Sequence, residues 1–279
     1  MLGRFVAAGA HTLASLVDLV LPCDCTGCGS AAGLAGVCAT CLAVLAEPPA
    51  ETRPTPAPNG LPRCVSVGGY DGPLRELILA YKERGHRGLA APLGDALAAA
   101  VTAGVRGSRP LALVPVPATA AAVRARQGDH MLRLAQRAAR RLRGAGWPVG
   151  VVTALRALPR TDSAHLDRHA RAATARSAFV VRPSRVAAVR AAAEAGDEVV
   201  LLDDVLTTGA TLAAVTHVLA DAGVPVGFAA TVAATRLRHV PSPEAINLAM
   251  FDRGGSLSPI AQISWDGSGD GGDEGPRKS

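Results

Sequence analysis

The stretch Glu198-Val199-Val200-Leu201-Leu202-Asp203-Asp204-Val205-Leu206-Thr207-Thr208-Gly209-Ala210-Thr211-Leu212 decides how this chain of 279 residues is read. Val199 to Leu202 is a short unbroken apolar run, the pattern of a strand buried on both faces of a parallel sheet. Asp203 and Asp204 stand at its C-terminal end, a small-residue turn follows, and Leu212, Val215, Val218 and Leu219 then recur at helical spacing. Strand, acidic pair, turn and helix in this order make a phosphate cradle. Backbone N–H groups of the turn and the positive N-terminus of the helix favour a phosphate monoester. The hydroxyls of Thr207, Thr208 and Thr211 add donors around Ala210, and Gly209 permits close approach. The two carboxylates are placed to accept hydrogen bonds from ribose hydroxyls or from magnesium-bound water.

Further short apolar runs at Leu111–Val114, Val149–Val152 and Val226–Val232 alternate with helical patterns, which predicts a doubly wound α/β sheet with its site at the C-terminal strand ends. A hydrophobic content of 49%, with 19% charged residues and a mean hydropathy of +0.24, excludes a chain disordered throughout. Four Phe, two Tyr and two Trp leave the core to aliphatic side chains and count against modules that stack bases on aromatic platforms. The net charge of +6 is unevenly spread. Residues 121–190 hold fifteen arginines against Asp129, Asp162 and Asp167, a block of +12 inside a remainder of −6. A phosphate-rich ligand and solvated helix faces both account for such a block.

Two C-x-x-C pairs, Cys25/Cys28 and Cys38/Cys41, supply four soft thiolates for a tetrahedral zinc, and Gly27 and Gly29 let the turns tighten so that N–H groups reach the sulfurs. Cys23 is an alternative to Cys25 as a ligand. Four thiolates leave no open position for water or substrate, so the ion is structural. Cys64 reads as a small buried hydrophobe. Cysteine usage of this kind fits a reducing, cytoplasmic compartment. Leu13, Leu16, Val17 and Val20 follow a helical period interrupted by Asp18, which reads as an amphipathic helix rather than a signal peptide or a membrane span. The expected organisation is an N-terminal helix with a cysteine knuckle over 1–47, a proline-rich extended linker over 48–64, an α/β domain over 65–250 and a disordered tail over 251–279. Trp265 in that tail has no account.

The run from Glu198 to Leu212 resembles the PRPP-binding signature of type I phosphoribosyltransferases. That resemblance implies that Asp203 and Asp204 hold the ribose 2′ and 3′ hydroxyls in catalysis and that the loop Thr207 to Thr211 holds the 5′-phosphate. A narrower likeness covers about residues 13 to 235. The cysteine head, Tyr70-Asp71-Gly72-Pro73-Leu74 leading to Lys82, Val114-Pro115-Val116-Pro117, an Arg-Gly loop and the PRPP signature resemble, in this order, the ComF family of competence-associated phosphoribosyltransferase-like proteins. The chain departs from that pattern at Arg126-Gln127-Gly128-Asp129-His130, and again at Ser163 and Thr174, while Leu166, Arg171 and Phe179 keep to it.

The family likeness implies a PRPP-dependent transferase of nucleotide metabolism, using magnesium with PRPP and a structural zinc. The connection through Pro115 and Val116, with its free N–H groups, and Arg124 and Arg126 on a mobile loop, are then expected to meet the pyrophosphate. His130 is the best-placed histidine for acid/base work. Two other roles stay open: a non-enzymatic cytoplasmic factor of DNA uptake that binds single-stranded DNA or a helicase partner, and a regulator that senses PRPP. Arg133, Arg137, Arg140 and Arg141 on one face of the helix Met131–Arg143 are the candidate DNA contacts, or a solvated face.

Overall fold

The computed structural model describes residues 24–32, 36–159 and 176–235, which all belong to one compact unit. The expected N-terminal helix, Cys23, the positions Ser163, Leu166, Arg171 and Thr174, and the tail with Trp265 lie outside the described residues.

Apolar runs become the central strands, as their composition demands. Strands β1 (Ala50–Thr52), β2 (Cys64–Gly69), β3 (Leu111–Pro115), β4 (Val149–Val151), β7 (Glu198–Leu206) and β8 (Phe228–Ala234) form a six-stranded sheet in the order β1-β2-β8-β7-β3-β4. All neighbours are parallel except β1 and β2. A separate antiparallel ribbon pairs β5 (Leu155–Ala157) with β6 (Phe179–Val181).

Alternation along the strands sorts side chains to two cores. On one face, Leu111, Leu113, Val200, Leu202, Ala230 and Val232 meet helices α2 (Gly72–Lys82), α3 (Ala90–Gly104) and α5 (His130–Gly144), the short α4 (Ala120–Ala125) lying between the last two in the chain. On the other, Ala112, Val114, Val199, Leu201 and Ala229 meet α6 (Pro183–Glu194) and α7 (Ala210–Asp221). This is a three-layer α/β sandwich. From β3 the chain steps outward to β4, and from β7 it steps the other way to β8. The carboxyl ends of β3 and β7 therefore flank a topological switch point, where open α/β sheets leave a crevice for ligands.

Two expectations about organisation change. The cysteine segment is not a separate head: Cys25, Val37, Cys41 and Leu45 of helix α1 (Ala39–Leu45) and the loop before it share a core with Leu74, Leu77 and Ile78 of α2. The proline-rich segment is not a free spacer either. Its residues 50–52 form the edge strand β1, with Thr52 Oγ1 and Ser66 Oγ 2.8 Å apart, and its later residues Pro54 and Leu61 pack beside Gly209. Edge strands tolerate flanking prolines because their outer N–H groups have no ladder to complete. Among the described residues, no helix is long and apolar enough to cross a membrane.

Candidate functional site

Strand β7 pairs with β3 only as far as Leu202, opposite Pro115, yet continues along β8 with Asp203 opposite Thr231 and Leu206 opposite Ala234. The acids thus sit inside the strand, not beyond it, at the point where one of its edges becomes free. Asp203 Oδ1 accepts from the Asp204 N–H at 2.9 Å. Asp204 is only 5% exposed, and its Oδ2 lies 2.6 Å from Lys82 Nζ, at the last residue of α2, and 3.4 Å from His130 Nε2, at the first residue of α5. Tyr81 Oη donates to the His130 carbonyl at 2.9 Å and fixes that helix start.

Environment separates the two carboxyls. Burial and the neighbouring Asp204 charge push Asp203 up to about 8, outweighing the Asp204 N–H and Lys82. Burial alone would raise Asp204 too, but the His130 hydrogen bond and the Lys82 ammonium hold it well below the usual carboxylate range. At neutral pH the two acids, with Lys82, carry close to no net charge. Lys82 Nζ, 2.6 Å from Asp204 Oδ2, takes the place that a divalent cation would occupy on that carboxylate.

Beyond β7, Thr207 and Thr208 are exposed, and Gly209 adopts φ 76° and ψ 0°, the left-handed region, as the N-cap of α7. The first N–H groups of a helix have no partner within it, so those of α7 face outward at the loop. Thr208 Oγ1 accepts from the Ala210 N–H at 3.4 Å. A Cβ on Gly209 would come within 3.0 Å of Leu61 and 3.3 Å of Pro54. The proline-rich segment thus backs the loop, a role its sequence did not announce.

Asp203, Asp204, Thr207 and Thr211 open on a cleft of about 950 Å³ whose cationic rim is Lys82, Arg124, Arg126 and Arg156. Of the residues expected at a pyrophosphate, Arg124 and Arg126 line this cleft, and Arg126 is ion-paired to Glu83 at 2.8 Å. Val116 lines it, but its N–H donates to the Leu202 carbonyl at 2.9 Å and is not free. Pro115 closes β3 without reaching the cleft wall, which is made instead by residues 116–122. The Arg-Gln-Gly loop is fastened rather than loose. Gln127 has φ 52°, the Gly128 N–H donates to the Val123 carbonyl, and Arg87 and Arg133 both donate to the Gln127 carbonyl. Arg156 escaped the sequence reading; its signal is the buried–exposed–buried alternation of β5, which turns it outward at the cleft.

The four sulfurs of Cys25, Cys28, Cys38 and Cys41 lie within 4.8 Å of one another, the only such group of metal-ligating side chains among the described residues. The Cys38 N–H reaches Cys25 Sγ at 3.2 Å, and a Cβ on Gly27 would strike Cys41 Sγ at 2.9 Å. Burial pushes the Cys25 thiol up, but the N–H groups of Cys38, Gly27 and Cys28 outweigh it and bring it down to about 6, suited to a metal-bound thiolate. Burial and the other three sulfurs push Cys41 the opposite way, the repulsion that a shared cation relieves. Cys64 is fully buried, and burial raises its thiol to about 11, as an inert core residue requires.

Compared with known proteins, the chain matches no family model and no curated protein.

Proposed function

We propose that the chain binds phosphoribosyl pyrophosphate or a related phosphoribosyl compound, in the manner of a ComF-type phosphoribosyltransferase, in the cytoplasm and in the service of nucleotide metabolism. The observation that carries this reading is the coincidence of three features at one switch point: the acid pair, the Thr207 to Thr211 loop at a helix start, and a cleft with a cationic rim. The loop takes the 5′-phosphate through backbone N–H groups and threonine hydroxyls. Asp203 and Asp204 receive the ribose hydroxyls. Lys82, Arg124 and Arg156 lie where the charge of a pyrophosphate leaving C1 would gather, with Arg126 beside them. In transfer, the C1–oxygen bond breaks, its electron pair departs with pyrophosphate, and an acceptor nitrogen gives its lone pair to C1 and sheds its proton to the departing pyrophosphate or to solvent.

Magnesium accompanies PRPP in the family that the sequence resembles. On the reading proposed here the Asp203–Asp204 pair does not hold it, because Lys82 Nζ already stands 2.6 Å from Asp204 Oδ2. The cysteine cluster is proposed to hold a structural zinc.

The DNA-uptake reading receives less support. Arg137 is spent on Asp95 in a two-pronged ion pair at 2.9 and 2.8 Å, and Arg133 on the Gln127 carbonyl, so Arg140 and Arg141 remain on that face. Calorimetric titration with PRPP, with a panel of bases then watched for pyrophosphate release, tests the main reading. Thr208→Val should weaken PRPP binding by roughly 10- to 100-fold, the worth of one hydrogen bond to a charged group. A wild-type protein that takes up no PRPP, or a Thr208→Val variant that binds it equally well, would sink the proposal.

A further inference from the structure

Lys82 has no role in the loop's grip on phosphate, yet the fold goes to some length to place it. It is the last residue of α2, preceded by the buried Tyr81, and its ammonium reaches the one fully buried carboxylate of the cleft at 2.6 Å. His130 touches the same Asp204 oxygen at 3.4 Å, but its Nδ1 is buried without a hydrogen-bond partner. Of the two groups, Lys82 stands much nearer that oxygen, and it is the permanent cation of the pair. The ammonium is also partly open to the cleft, its side chain 28% exposed, so that it faces the acid on one side and an incoming anion on the other. A cation held on a buried carboxylate at the edge of the cleft does the electrostatic work otherwise done by a divalent metal at an acid pair.

Building on the phosphoribosyl reading, we propose that Lys82 is the resident counter-ion of this site and that it frees the chain's grip on a ribose 5-phosphate group from any need for a divalent cation. Lys82 is thereby a positioning residue: it holds Asp204 ionised and aimed at the sugar hydroxyls, and cancels its repulsion of the ligand. Without Lys82, Asp204 keeps only His130 beside it and either takes up a proton or repels the phosphate sugar, a loss that a divalent cation can make good.

The test is calorimetric titration of the full chain with ribose 5-phosphate, a probe with a single phosphate that chelates metal far less than a pyrophosphate does. Each titration is run once with chelator and once with millimolar magnesium. The wild type is expected to bind equally, within about twofold, in both conditions. Lys82→Met is expected to lose at least tenfold in chelator and to recover most of that loss with magnesium, and Lys82→Arg to behave as the wild type. Should Lys82→Met fail to fold, Lys82→Gln, shorter but polar and uncharged, removes the charge and carries the same test. Rescue by magnesium and by arginine separates this role from a merely structural one, which neither would restore. Wild-type binding that needs magnesium, or a charge-free Lys82 variant that binds normally in chelator, overturns the inference while leaving the phosphoribosyl reading intact. Absence of ribose 5-phosphate and PRPP binding in every condition overturns both.

Discussion

Asp203→Asn should make the protein more stable as pH rises, against the usual expectation for removing an active-site charge. The folded carboxyl titrates near 8 instead of its ordinary 3.8, because burial and Asp204 oppose its ionisation. Its contribution to stability is thus fully present below the unfolded value and is lost as pH rises toward the folded one. Between those limits the unfolded chain is ionised and the folded chain is not, and the difference grows by at most about 1.4 kcal/mol per pH unit. Solvent reaching the half-buried carboxyl lowers that ceiling. Asparagine keeps the side-chain oxygen that accepts from the Asp204 N–H and removes only the titration. In a chain of this size 1 kcal/mol moves Tm by roughly 2–4 °C, so the advantage of the variant should widen by up to about 3–5 °C per unit from pH 5 to 8 and level off above 8. Thermal unfolding of both proteins across pH 5 to 9 measures it, and titrating groups remote from Asp203 cancel in the difference. Parallel Tm curves, or a variant that loses ground with rising pH, would refute the charge separation on which the site is built.

The loop and the cysteines lead to two further outcomes. Gly209→Ala forces a Cβ into the left-handed region at φ 76° and against Leu61, which should cost on the order of 1–3 kcal/mol in stability and at least tenfold in PRPP affinity by calorimetry. Purified protein should carry about one zinc per chain by elemental analysis; Cys25→Ser should abolish it and lower Tm by 5 °C or more, since the cluster shares a core with α2.

The sequence announced the site's acids and loop because their order along one strand, turn and helix is local, and local geometry is what a linear pattern encodes. Strands β3, β4, β7 and β8 were legible for the same reason: a run such as Val199 to Leu202 has no other economical fate than a two-sided burial. Contacts between distant segments stayed hidden. Nothing in Pro54 or Leu61 says that they will lie beneath Gly209, and Lys82 and His130 meet at Asp204 only because α2 and α5 pack on one face of the sheet. The free N–H expected at Val116 was lost to β7, since a strand end that flanks a longer neighbour goes on pairing with it. The proline count misled in the same way. It reports that a segment cannot be helix or central strand, but an edge strand and a packed extended segment satisfy that restriction as well as a free spacer does.

The arginine block illustrates why a charge total says little about a site. Arg137 is held by Asp95, Arg143 by the Val149 carbonyl, Arg176 by Asp221, Arg133 by the Gln127 carbonyl and Arg126 by Glu83. Each of these guanidiniums spends at least one donor on fixing the fold, which leaves its charge and fewer directed donors for a ligand. That charge acts over a distance of roughly the Debye length, ~8–10 Å near physiological salt, and raises the encounter rate of any anion without choosing among anions. Choice requires groups that touch. The cleft supplies few of them: Lys82 on its buried acid, Arg124 and Arg156 at the rim, and the hydroxyls and N–H groups from Thr207 to Thr211. On the phosphoribosyl reading proposed above, the basic block of +12 gathers phosphates, whereas discrimination of a phosphorylated ribose rests on a carboxylate pair whose charge Lys82 balances.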